Sequence, residues 1–135
     1  MSARRSRFSL APSPEPSRVV VVGAGAPAPV ADWLGALGWL DLELLARCTA
    51  RQVGAGHELA YTIYDDDGDA ADDPFVGVKL VAVYRDGESV VFTRDEYDAI
   101  VADICDIAIA RPPDPQPEWW ESFLADAATV RSRIG

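Results

Sequence analysis

Residues that carry chemistry are scarce in this chain, and each scarcity closes a class of function. His57 is the one histidine. No Ser-His-Asp or Cys-His arrangement with a local motif surrounds it, and an H-E-x-x-H metal site cannot be written. Lys79 is the one lysine among twelve basic residues, and no glycine-rich run leads into it, so there is no P-loop. The two cysteines, Cys48 and Cys105, are far apart and form no C-x-x-C. They are expected as reduced, partly buried thiols, with a disulfide between them as the alternative. No apolar run approaches the length of a membrane span. Carboxylates abound, but no pair sits on an otherwise apolar strand where desolvation would tune it for acid–base work. With no residue to defend as nucleophile or base, no cofactor and no metal are assigned, and an enzyme is not expected.

What is present is acid and apolar surface. The 135 residues suit one domain, and 49% of them are hydrophobic, enough for a packed core. Net charge is −10. The first 18 residues hold Arg4, Arg5, Arg7 and Arg18 against Glu15, a net +3, which leaves −13 for the remainder of the −10 total. Such a body repels nucleic-acid phosphates and anionic membranes, and attracts basic proteins. Residues 1–17, MSARRSRFSLAPSPEPS, read as a disordered basic tail, with residues 18–135 as the folded domain. Arg4-Arg5 followed by Phe8 resembles a twin-arginine export signal. Glu15, Arg18 and three prolines separate that pair from any apolar stretch, so a cytoplasmic protein is expected.

The clearest folding signal lies between Phe75 and Ile104. Val76, Val78, Leu80, Ala82 and Tyr84 alternate with Gly77, Lys79, Val81 and Val83, the period of a strand, with a second face that is partly apolar too. Asp86-Gly87 marks a tight hairpin turn, and Val90 to Phe92 form the return strand. Thr93-Arg94-Asp95-Glu96 is a capping box that opens a helix whose apolar stripe is Tyr97, Ile100, Val101, Ile104 and Ile107. Val30 to Leu37 predicts a helix, and Pro117 opens a last one with Trp120, Phe123, Leu124, Ala127, Val130 and Ile134 on its stripe and Trp119 at the rim. Trp39 to Thr49 scores both ways; the alternation of Leu40, Leu42 and Leu44 favours a strand paired with Leu59 to Ile63. The expected fold is α+β: an antiparallel sheet of about four strands, packed on one face by about three helices, with Arg18 to Val22 as an edge strand.

Three stretches invite functional readings. Val19 to Ala28, VVVVGAGAPA, resembles the first strand and phosphate-binding turn of Rossmann proteins, which would make Gly23 to Ala28 a nucleotide site. Pro27 and Pro29 crowd that turn, and the chain is too short for a doubly wound sheet. Asp65, Asp66, Asp67, Asp69, Asp72 and Asp73 fall within nine residues. An EF-hand register puts Ile63 at the first ligand position and Pro74 at the last, so that loop fails. These aspartates, with Trp119 and Trp120, are instead the candidate protein-interface residues.

Val81 to Val101, VAVYRDGESVVFTRDEYDAIV, is similar to the end of a family of small actinobacterial proteins of unknown function found beside helix-turn-helix regulators. A strand, an Asp-bearing turn, a Phe-Thr step and a Glu-Trp helix start recur in that family, and Tyr97 stands here in place of the Trp. The resemblance implies an accessory regulator that binds a transcription factor. The charge favours a non-enzymatic acidic protein that binds a basic protein partner, of the immunity or antitoxin kind, with no nucleic acid or membrane partner.

Overall fold

The structure, a computed structural model, describes residues 9–12, 21–56, 59–67 and 74–134. In chain order the elements are β1 (Ser9–Pro12), β2 (Val21–Ala24), α1 (Ala28–Ala36), α2 (Trp39–Ala50), β3 (Ala60–Tyr64), β4 (Val78–Ala82), β5 (Ser89–Phe92), α3 (Arg94–Ala110) and α4 (Trp120–Ser132). The fold is α+β, as the alternating and helical periods predict. Its main sheet is antiparallel in the order β3-β4-β5, and β1 and β2 form a separate antiparallel ribbon.

Local chemistry sets each boundary of the hairpin and helix. Asp86 and Gly87 both take positive φ (52° and 75°), and Glu88 N donates to Arg85 O at 2.9 Å, closing a primed turn whose twist suits two antiparallel strands. Thr93 Oγ1 accepts from Glu96 N at 3.0 Å while Glu96 Oε1 accepts from Thr93 N at 2.9 Å, so both halves of the capping box form. Period two then sorts the sheet. Ala60, Thr62 and Tyr64 of β3, Val78, Leu80 and Ala82 of β4, and Phe92 of β5 are buried beneath the helical layer. Burying side chains the size of Leu80 or Phe92 stabilises the fold by about 1.5–3 kcal/mol each.

Three expectations are corrected. Trp39 to Thr49 is not a strand but the body of α2, and among the described residues the main sheet therefore has three strands rather than four, with four helices rather than three. Leu42, Leu45, Ala46 and Thr49 are buried at helical spacing, whereas Leu40 is 76% exposed, so the leucine alternation carried no two-faced strand. Gly38 N donates to Asp41 Oδ2 at 2.9 Å, and Glu43 pairs with Arg47 one turn on, which favours the helix further. The partner expected from that segment is replaced by β4, which pairs with β3 in the register Thr62↔Leu80.

The tail is the second correction. Ser9 to Pro12 form β1 on β2, with Leu10 packed against the core; the rest of residues 1–17 lies outside the described residues. Ladder hydrogen bonds and one partly buried apolar side chain offset the ordering entropy that the composition alone could not. The third concerns Arg18 to Val22: residues 18–20 lie outside the described residues, and β2, which holds Val21 and Val22, belongs to the ribbon, not to the edge of the main sheet.

The helices close the core from one side. α1 lies against all three strands of the sheet, α2 packs on α4, and α3 contacts α2, α4 and β5. Among the described residues no helix is long and apolar enough to cross a membrane. Gly77, just before β4, approaches β5 closely: its φ is +108°, and a Cβ there would overlap the Phe92 carbonyl oxygen. Replacing it with alanine adds backbone strain to a steric clash and is expected to cost about 2–4 kcal/mol. Gly87→Ala, at φ +75° with open space around it, should cost about 1 kcal/mol. Urea midpoints of the two variants check the difference; equal losses would contradict the close approach.

Candidate functional site

The acidic connection leaves the sheet at Tyr64, and its first residues are built into the fold rather than hung from it. Asp65 N donates to Gly77 O at 3.0 Å, and Gly77 N donates back to Asp65 Oδ2 at 2.7 Å, so this pair closes the root of the connection. Asp65 Oδ1 takes a second donor, Arg94 Nη2, at 2.7 Å. Arg94 is the first residue of α3, and its guanidinium also reaches Asp66 Oδ1 at 3.3 Å and Gln52 Oε1 at 3.1 Å. The same guanidinium lies 4.9 Å from the centroid of the Tyr64 ring. One arginine thus joins the end of α2, the end of β3 and the start of α3.

Electrostatics follow from that geometry. The hydrogen bond from Arg94, and then that from Gly77, holds the Asp65 carboxyl below its ordinary value of 3.8. Asp65 in turn raises Arg94, so the pair stays ionised throughout the neutral range. The Asp66 side chain is 71% exposed despite its contact with Arg94. Asp67 N donates to Tyr64 O at 3.0 Å, turning the chain as it leaves the strand. Asp69, Asp72 and Asp73 lie outside the described residues, as does His57. Of the six aspartates expected to form a docking knob, Asp65 is therefore a brace, and Asp66 and Asp67 stand at the mouth of an open cleft of about 410 Å³. Among the described residues, Arg51, Gln52, Val53 and Tyr64 also line it.

Among the described residues that cleft has carboxylates, one arginine and an amide, but no activated nucleophile. Cys48 is half-buried and burial raises its thiol; Cys105 is buried beneath α4 and pushed up to about 12. Both thiols are free and stay protonated at neutral pH. No group of three or more His, Cys, Asp or Glu able to hold a metal occurs among the described residues.

The tryptophans take the places expected of a core edge. Trp120 is 4% exposed, with its ring 5.1 Å from Phe123 and 6.2 Å from Trp39. Trp119 is half-buried against both Trp120 and Phe123. Neither joins the acidic connection into one site, and most of the Trp120 surface is spent on the core. The turn after β2 does run from Gly25 into α1, but β2 pairs antiparallel with β1. A dinucleotide site requires a parallel sheet at that turn. Sequence reasoning missed two features. Arg94 was read only as part of a capping box, and the outward side chains Tyr61, Ile63, Val81 and Val91 were not recognised as one surface.

A group whose folded-state pKa is depressed contributes stability above its unfolded pKa and loses it as pH falls. Asp65 should therefore stabilise the fold fully above about pH 4 and progressively less below it. Asp65→Asn keeps an acceptor for Gly77 N and removes the charge facing Arg94. Its melting temperature should start lower at pH 6 and fall less than the parent's between pH 5 and 3. Parallel curves by circular dichroism would contradict the brace. No protein-family model, curated protein or solved structure matches the chain.

Proposed function

We propose that this chain is a non-enzymatic, acidic protein-binding protein of the cytoplasm whose partner is a basic protein, an immunity or antitoxin-type inhibitor being the concrete form. The observation that carries this reading is the braced acidic connection. Arg94 and Gly77 hold its root through Asp65, so that Asp66 and Asp67 project from a fixed position beside the sheet. A rigid root reduces the ordering cost of binding, and the negative charge at its tip draws a basic partner in faster than neutral diffusion would. The net charge of −10 extends the same attraction over the whole molecule.

The test is capture from host lysate on the immobilised chain, eluted by a salt gradient, followed by association kinetics with the recovered protein. A basic protein that leaves only at high salt is expected. Its association rate should fall about 10-fold between low and physiological salt. Asp66→Asn with Asp67→Asn should lower that rate further while changing dissociation little. An association rate indifferent to salt and to both substitutions would refute the reading.

A further inference from the structure

The side of the sheet turned away from the helices is apolar as well. Tyr61 and Ile63 of β3, Val81 of β4 and Val91 of β5 occupy the outward positions of the alternation. The register makes them one surface, because Tyr61 pairs with Val81, and Lys79 lies between Ile63 and Val91. Tyr61 and Val91 are each 39% exposed, and Val83 extends the row past the end of β4. Phe75 folds back onto this face, with its ring centroid 4.8 Å from Lys79 Nζ, and the lysine beneath it is buried. The connection that carries the aspartates is thereby anchored to the edge of the apolar surface.

Acid frames the surface at both ends. Where β3 leaves the sheet stand Asp65, Asp66 and Asp67; where β4 turns into β5 stand Asp86 and Glu88, both exposed. Arg85 of that turn already reaches back to Asp32 of α1. An apolar centre with a charged rim is the build of a specific interface, and scattered single hydrophobics are not. The sign of the rim selects the occupant. A second copy would bring acidic ends against acidic ends.

We propose that the outward face of the β3–β4–β5 sheet is the docking surface, and that a basic protein seats an apolar centre on Tyr61, Val81 and Val91 while its lysines or arginines meet the acidic ends. This rests on the acidic-binding reading above and gives it a place. The acid sets how fast the partner arrives, and the apolar face sets how long it stays.

The experiment measures amide hydrogen exchange of the full chain with and without the basic protein recovered by salt elution, and dissociation rates for three variants. Protection confined to β3, β4 and β5 is expected. Tyr61→Ser with Val91→Thr should raise the dissociation rate about 10-fold or more. Leu40→Ser, on the exposed side of α2, should leave it unchanged. Threonine keeps strand propensity at position 91, and the exchange footprint of the parent chain decides the matter if the double variant unfolds. Protection on α2 or α4 instead, with steep salt dependence retained, overturns this surface and leaves the acidic reading standing. Failure to recover any basic protein removes both. A dimer of the parent chain in sedimentation equilibrium that the double variant abolishes makes a second copy the occupant and overturns the proposal. So does a loss of β3 and β5 protection in the unbound chain on deleting residues 1–8, which would name the chain's own basic segment.

Discussion

The fold closes around the ring of Tyr97. It lies in the first turn of α3, 1% exposed, and meets Trp33 of α1 at 6.2 Å, Tyr64 of β3 at 5.9 Å and Phe92 of β5 at 6.4 Å. Aromatic pairs of this kind contribute about 0.5–1.5 kcal/mol each beyond their buried area. The larger consequence is positional. Three elements distant in sequence share one side chain, and the Thr93 capping box fixes where that side chain stands by fixing where α3 begins. Burial keeps the phenol neutral, pushing it up to about 12, and the hydroxyl faces Thr62 Oγ1 at 3.5 Å. Helix start, sheet face and core are therefore one constraint.

The residue next to Tyr97 extends that constraint to the helices. Asp98 is buried, and desolvation raises its carboxyl against the opposing pull of Arg133, 3.6 Å away. Arg133 also donates to Thr49 O at 2.9 Å and to Ala50 O, so the last turn of α4 satisfies the carbonyl end of α2. Helix ends buried without such partners are costly. A charge placed at that junction serves two needs, completing α2 and offsetting Asp98. Near the other end of α4, the Trp39, Trp119, Trp120 and Phe123 rings do the equivalent work with apolar area.

What was legible in the sequence follows the range of the interactions involved. β4, its turn, β5 and α3 rest on contacts within a few residues, and period, Asp-Gly and capping box disclosed them all. α2 was misread because Leu40, Leu42 and Leu44 satisfy period two as well as a helix, and the burial that separates the readings comes from α4, roughly eighty residues on. β1 was missed because a four-residue strand in a polar stretch exists only through β2. The same logic applies at the candidate site. The aspartates were visible as composition, but Asp65 becomes a brace only when β3 and β4 bring Gly77 and Arg94 to it. Alternation showed that β4 has two apolar faces, and it could not show which one the helices would leave uncovered.

That uncovered face joins the acidity of the chain to its fold. Stability does not require Tyr61, Ile63, Val81 and Val91 to be apolar, since the inward face and the Tyr97 cluster supply the core. Cross-strand pairs on the outward face add only about 0.2–1 kcal/mol each. An exposed apolar sheet is ordinarily an aggregation hazard, which proteins restrain with charge at its margins. Here the charge at both margins is negative, so identical copies repel at the positions where they would otherwise stack. Repulsion between like copies and attraction to a basic surface are the same electrostatic field acting on different partners. On the proposed reading, the field that opposes self-association is the one that would favour a partner of opposite charge.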